Sequence, residues 1–332
     1  MGDHVLIDRA PGQDRALLMQ GDRVVEVLAD YHHARNLTGS IHRVKINRVI
    51  AGQNRAFARL ADGTQVSVRL AKSDRVVAGA MSVITITAAP RDGKAWQASL
   101  GARLVSANLV MLVGQQGITI SRALAASLSE TSKAVLVDAL AGLLVDLGMA
   151  ADFAVIVRRG AVEMSADTLV AECRARANDW LTATGDNLGP GDNLGLGDGS
   201  DEGMLYDGGG IAVQARCLAP LADLTETDAA TSAAEFDSRF DQAIDEACQS
   251  AVQLDGGGVM WVEPTKALTA IDLDSGSGTQ DALFAAAPAA IARALRLRQI
   301  GGAVGIGPPR PQPPRGAGGR DCLGAAWAGH SR

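Results

Sequence analysis

Cysteine is scarce in this 332-residue chain. Its four cysteines, Cys173, Cys217, Cys248 and Cys322, are scattered, and no two of them form a Cys-x-x-Cys pair. That argues against a zinc ribbon and a disulfide framework and suits a reducing compartment, so a cytoplasmic location is expected. No apolar run approaches the roughly 20 residues of a membrane-spanning helix. The opening residues, MGDHVLIDRAPGQ, have neither a basic leader nor a long apolar stretch, so neither a signal peptide nor a membrane span is expected. The chain also lacks an excess of positive charge. Its 31 Lys+Arg face 37 Asp+Glu, a balance of −6, which alone argues against a nucleic-acid binder. What is present is 47% hydrophobic residues, enough for two or three compact units.

The charge is unevenly spread. Residues 39–110 hold eleven Lys/Arg against three Asp, a local +8, whereas 184–255 hold fifteen Asp/Glu against two Arg, a local −13. A basic module beside an acidic one is an asymmetry that bears on binding partners. The basic part reads as five β runs, IHRVKINRVI, RAFARL, QVSVRL, SVITITA and WQASLGARL, separated by Gly/Asp/Asn turns. Five strands at this spacing fit an OB-type barrel. In the first run His42, Val44 and Ile46 alternate with Arg43 and Lys45, and the basic face suits a phosphate backbone. Phe57 is the only Phe of the module, and it is either an exposed base-stacking ring or part of the core.

Before the barrel, VLID, ALLM and RVVEVL read as short strands. After it, ANLVMLV and FAVIVRR read as strands. SETSKAVLVDALAGLLVDLG reads as a helix with Leu136, Leu140, Leu143 and Leu147 on one face, capped by Ser129 or Thr131 and ended by Gly148. A second helix is expected from Ser165 to Trp180, with Leu169, Cys173, Ala177 and Trp180 as its apolar line. Residues 184–203 contain GDNLG twice and read as a Gly/Asp-rich linker. A helix is expected from Ser232 to Leu254, with Ser232 and Glu235 at capping-box spacing and Phe236, Phe240, Ile244 and Cys248 as its apolar line. It would brace the β runs that begin after Gly256.

The stretch from Gly256 to Gly302 carries the chemistry. Val259, Trp261 and Glu263 alternate with Met260 and Val262 up to Pro264, and a second β run, Ala267 to Leu273, delivers Asp272 and Asp274. Residues two apart on a strand share a face. Two carboxylates there, followed by Ser-Gly, can hold a hard divalent cation such as Mg²⁺; the other reading is a polar strand end with an Asp in the turn.

The wording of this stretch, GGGVMWVEPTKALTAIDLDSG and then IARALRLRQIGG, closely resembles the catalytic subdomain of the ribonuclease E/G family. The resemblance extends diffusely back to Val5 and fits that family's short members. It implies Mg²⁺-dependent endonucleolytic cleavage of single-stranded RNA, in RNA processing or decay, with Asp272 as the metal-binding acid and Asp274 as its polar neighbour. It places Phe57 and Lys94 with the barrel's RNA-binding residues, beside Arg43 and Lys45. A second aromatic, expected near Val66 to Val68, is missing. The α/β piece after the barrel would be a 5′-phosphate pocket formed by Val110, Arg158 and Arg159. There the family's Arg-Thr pair reads Arg158-Arg159, and its Gly reads Ser106; the alternative is a surface Arg pair. The opening strands would belong to a ribonuclease-H-like unit, although an ordinary hairpin gives the same pattern.

The expected architecture is α+β. Residues 1–38 are strands of the ribonuclease-H-like unit, 39–105 the OB-type module, 106–183 the sensor-like piece, 184–203 the linker, and 204–255 the remainder of the ribonuclease-H-like unit with its helix. A truncated catalytic subdomain over 256–306 and a disordered tail over 307–332 complete the chain. In the family the strand after Gly302 ends in a second metal-binding acid. Here that position is Gly307, followed by a Pro-rich run from Pro308 to Pro314. The break reads either as a shifted reading frame or as an authentic divergent tail. The expected partner is single-stranded RNA, and self-association is left open. The competing function is a non-catalytic RNA-binding protein on the same scaffold.

Overall fold

The computed structural model describes residues 3–50, 52–90, 93–184, 202–220, 222–226 and 232–307. Most of the Gly/Asp-rich linker and the tail from Pro308 onward lie outside these residues. In chain order the strands are β1 (Asp3–Ala10), β2 (Gln13–Gln20), β3 (Arg23–Tyr31), β4 (Ile41–Ile50), β5 (Arg55–Arg59), β6 (Gln65–Arg69), β7 (Met81–Ala88) and β8 (Trp96–Leu100). They continue as β9 (Arg103–Val105), β10 (Leu109–Val113), β11 (Gly117–Ile120), β12 (Phe153–Val157), β13 (Gly203–Tyr206) and β14 (Asp223–Glu226). The last four are β15 (Ala251–Gln253), β16 (Val259–Pro264), β17 (Thr269–Asp274) and β18 (Val304–Ile306). The helices are α1 (Arg122–Ala125), α2 (Glu130–Asp146), α3 (Ala166–Thr184), α4 (Gly210–Leu218), α5 (Ser232–Cys248) and α6 (Gln280–Leu297). The chain is thus a mixed α+β protein, divided into compact units at 1–243 and 244–332. No described helix is long and apolar enough to cross a membrane.

The first unit contains three sheets. β1, β2 and β3 form an antiparallel meander, and β14 joins parallel to β1. The face bearing Val5, Ile7, Ala16 and Leu18 is buried against Ile211 and Ala215 of α4. Strands β4 to β8 close into a five-stranded barrel in the order β4-β5-β6-β8-β7, with β7 returning to β4 and β6 lying parallel to β8. This is the closure of an OB-type barrel. Its interior is aliphatic: Val44, Ile46, Val66, Val68, Ile84 and Ile86 are almost wholly buried. Alternation along β4 is as expected, with Val44 and Ile46 inward, and β5 alternates likewise, with Ala56 and Ala58 inward. The run WQASLGARL is two strands, not one. Gly101 takes a positive φ of 87°, which breaks the extended backbone between β8 and β9.

The third sheet, β11-β12-β10-β9, packs against α2 and α3 around Phe153, Leu140 and Trp180. Ser129 caps α2 by accepting from the Ser132 amide, and Gly148 follows its end with a φ of 68°. All four residues of the expected α3 stripe, Leu169, Cys173, Ala177 and Trp180, are buried.

In the second unit the sheet runs β15-β16-β17-β18, and α6 covers one face through Leu283, Ala287 and Ala294. Three expectations change here. α5 ends at Cys248, and Ala251–Gln253, expected to be helical, form the edge strand β15 because their backbone pairs with β16. In α5 Phe236 and Ala243 are buried, while Ile244 and Cys248 are exposed. Phe236 and Phe240 stack on each other and carry the Arg15 guanidinium at 5.1 Å from each ring, so this half of α5 serves the β1–β3 sheet. The helix that braces β17 is α6; the end of α5 is tied to it by Glu246 and Arg293 at 2.6 Å. Finally, the strand after Gly302 is not lost. Val304–Ile306 pair parallel with β17, so the subdomain expected to be truncated has a short fourth strand there.

Candidate functional site

β16 and β17 form an antiparallel hairpin in which Met260, Val262, Ile271 and Leu273 face the α6 core. Period-two alternation then sends Trp261, Glu263, Ala270, Asp272 and Asp274 to the other face, where they line an open concavity of about 410 Å³. In register, Trp261 lies opposite Asp272, Val259 opposite Asp274 and Glu263 opposite Ala270. The Thr-x-Ala-Leu-Thr wording has a local structural cause. Thr265 donates its hydroxyl to the Leu268 carbonyl at 2.6 Å and accepts from the Leu268 amide at 3.1 Å, which fixes the hairpin turn.

The two glycine clusters flanking the hairpin also have a physical role. A Cβ on Gly276 would sit 2.6 Å from the Gly257 carbonyl oxygen, and one on Gly278 would collide with the Gly256 carbonyl. The 256–258 and 276–278 loops therefore touch backbone to backbone. This contact fixes the turn after β17, where Asp274 Oδ1 accepts from the Gly276 amide at 2.9 Å.

The position expected to hold a second acid is now geometrically defined. β18 runs beside β17 with Ala270 opposite Gly305 and Ile271 opposite Ile306, and the Gly307 amide donates to the Ile271 carbonyl at 2.7 Å. A Cβ on Gly307 would lie 3.0 Å from Asp272 Oδ1. A side chain there would stand beside Asp272 on the same face, but Gly307 has none to offer. Among the described residues, no group of three or more His, Cys, Asp or Glu side chains gathers closely enough to hold a metal. Asp272 and Asp274 are hard oxygen donors of the kind Mg²⁺ takes, and Mg²⁺ is often bound by one or two carboxylates with water and substrate phosphate. The donors thus fit the ion in kind and fall short in number.

The barrel carries a second set of candidates. Arg43 and Lys45 face outward on β4, and Lys94 is exposed in the turn before β8. Phe57 is half-buried on the outside of β5, between inward Ala56 and Ala58, so it is not a core residue. It lies opposite Arg48 on β4 and Ser67 on β6. Val66 and Val68 are buried inside, and Ser67 between them, where an aromatic was sought, is itself buried. Arg48 was not singled out from the sequence. A register shift between Ile46 and Arg48 turns it toward Phe57, and strict alternation does not reveal such a bulge.

In the α/β piece, Val110 is half-buried on β10, and Arg158 and Arg159 are exposed just beyond β12. The Arg158 guanidinium donates to the Ser106 carbonyl at 2.8 Å, and its amide donates to the Asn108 carbonyl at 2.8 Å. Arg159 opens a 3-10 turn, Arg159–Glu163. The loop that receives Arg158 is pinned by Glu172, a buried carboxylate missed in the sequence. It accepts from the Ser106 hydroxyl, the Asn108 amide at 3.0 Å and Asn108 Nδ2 at 2.9 Å. Its place in the middle of α3, far from the loop in sequence, gives no local signal. Cys173, also on α3, is buried, and burial pushes its thiol up to about 12.

The chain thus carries an OB-type barrel with a basic outer face and a hairpin that presents two carboxylates. Residues 224–306, a quarter of the chain, match the model of the Ribonuclease E/G family. The match spans β14, α5, the whole β15–β18 sheet and α6, and ends one residue before Gly307. No curated protein matches the chain.

Proposed function

We propose that this protein binds single-stranded RNA on its barrel and descends from a Mg²⁺-dependent endoribonuclease whose cleavage activity is impaired in this chain. The observation that carries the reading is the shared outward face of Asp272 and Asp274, inside the stretch that matches the Ribonuclease E/G family. Asp272 and Asp274 would hold the ion. When bound, such an ion polarises a phosphate oxygen and assists the attack of water. The hairpin register keeps both carboxylates on one side of a single strand, and the glycine contact holds the turn after Asp274 in place. Cleavage in the manner of the family would leave a 5′-phosphate and a 3′-hydroxyl.

The barrel would supply most of the RNA affinity. Arg43, Lys45, Arg48 and Lys94 offer charge to phosphates, and Phe57 offers a ring to a base. The meander β1–β3 with parallel β14 supports a ribonuclease-H-like unit at the start of the chain. Arg158, held by the 106–108 loop beside Val110 and Arg159, supports a pocket for a 5′-phosphate, since a guanidinium at a strand end suits that anion.

A second reading, a non-catalytic RNA-binding protein, is favoured by Gly307, which brings no carboxylate to the side of Asp272. One experiment separates the two. Purified protein is given a 5′-monophosphorylated single-stranded RNA with and without Mg²⁺, alongside Asp272→Asn. Slow Mg²⁺-dependent cleavage that collapses in Asp272→Asn is the expected result. Binding with no cleavage at any Mg²⁺ level leaves the non-catalytic reading, and cleavage undiminished in Asp272→Asn places the chemistry elsewhere.

A further inference from the structure

Trp261 stands out on the acidic face. It is 42% exposed, far more than an indole needs to be on a strand whose other face is closed by a helix. It is not an isolated apolar residue on a convex surface, which would need no explanation. It lies inside the concavity with Glu263, Asp272 and Asp274, directly across the strand pair from Asp272. Three carboxylates there repel a phosphate that arrives without a cation. A nucleobase carries no charge and presents a flat π-face to the indole.

We propose that Trp261 is a base-stacking platform, on which a nucleobase of single-stranded RNA is seated next to Asp272. This rests on the RNA-binding function proposed for the chain and deepens it. With a base on the indole, the adjoining phosphate passes over Asp272, so the platform selects which phosphodiester meets the carboxylates. Binding at this point is led by the base. It therefore differs from binding on the barrel in being nearly insensitive to salt, because few counterions are released. It accepts any base and favours purines through their larger stacking face.

The test uses the full chain and a short single-stranded oligoadenylate, with an abasic oligomer of the same backbone as control, at salt high enough to suppress phosphate contacts. The chain has four tryptophans, Trp96, Trp180, Trp261 and Trp327. The emission lost in Trp261→Phe therefore isolates the Trp261 signal. Oligoadenylate should quench that component and the abasic oligomer should not. Trp261→Ala should weaken oligoadenylate binding under these conditions by roughly 5- to 150-fold, while Trp261→Phe keeps most of it. Absence of quenching, equal quenching by the abasic oligomer, or quenching that follows protein concentration alone overturns the platform; the last would assign the indole to a second copy of the chain. Should Trp261→Ala fail to fold, the Phe variant and the emission of the unmodified protein still decide. Asp272→Asn separates this inference from the cleavage reading. Quenching retained in a chain that never cleaves upholds the platform and sinks the nuclease, and cleavage without quenching does the reverse.

Discussion

The barrel and the C-terminal sheet answer the same problem, a strand edge, in different ways. In the barrel β7 returns to β4 and β6 meets β8, so the five-stranded circuit is closed on itself. In the second unit β18 has three residues and ends one residue before Gly307, the position where a side chain would face Asp272. The barrel directs cations and one ring outward, whereas the sheet directs carboxylates and one indole outward. Under the proposed function, the difference means that binding rests on a closed barrel and chemistry on a site shared between neighbouring strands, so a missing side chain can impair the second and leave the first.

The largest effect expected from that contrast lies at Gly307. Gly307→Asp places a carboxylate beside Asp272 at the cost of a shift of a few tenths of an ångström in a flexible side chain. It should raise Mg²⁺-dependent RNA cleavage by about 100-fold, the scale on which misplacement of reacting groups is felt. Single-turnover cleavage of a 5′-monophosphorylated RNA is the measurement, and no gain would break the comparison. On the barrel, Phe57→Ala should weaken RNA binding by about 1–3 kcal/mol without changing its salt slope. Lys45→Ala should instead lower the slope by about 0.7 if it contacts one phosphate. Titrations at several salt concentrations read both, and indifference to both variants would remove RNA from this face.

Gly278→Ala tests the loop contact that fixes the end of β17. Its added Cβ meets backbone that can yield only by moving, so destabilisation of about 1–3 kcal/mol is expected in denaturant unfolding. An unperturbed midpoint would show that the 256–258 and 276–278 loops do not need each other. The smallest effect belongs to His42. Burial in the barrel holds its pKa below the ordinary 6.5, with Asp62 pulling weakly the other way. Between the folded value and 6.5 the unfolded chain binds more protons, so stability falls as the pH drops through that window and is regained above it. Thermal melts across pH should show this loss, and His42→Gln should flatten it.

Legibility in the sequence followed the side chains. The five barrel strands were readable because Val44, Ile46, Val66, Val68, Ile84 and Ile86 alternate with polar neighbours between Gly/Asp turns. α2 and α3 were readable from their buried stripes. β18 was hidden because Val-Gly-Ile followed by Gly and Pro is too short to show a periodic face, with only Val304 packed against the core. The end of α5 and the strand β15 were merged because Ala, Val, Gln and Leu suit either state in so short a run. Asp272 and Asp274 were readable as a pair. Their setting was not, because Trp261 and Gly307 approach Asp272 from two other strands, and register is a property of pairing rather than of local composition.

One pairing in the barrel bears on the order in which the chain is made. The N-terminal half of β4 is flanked by β7 on one side and by β13 on the other, and β13 comes from residues 203–206. A nascent chain that has just emerged through β8 can close the circuit of five strands, but it still leaves that flank of β4 uncovered until more than a hundred further residues have been synthesised. During that interval an exposed strand edge waits on the ribosome, open to pairing with whatever chain lies nearby.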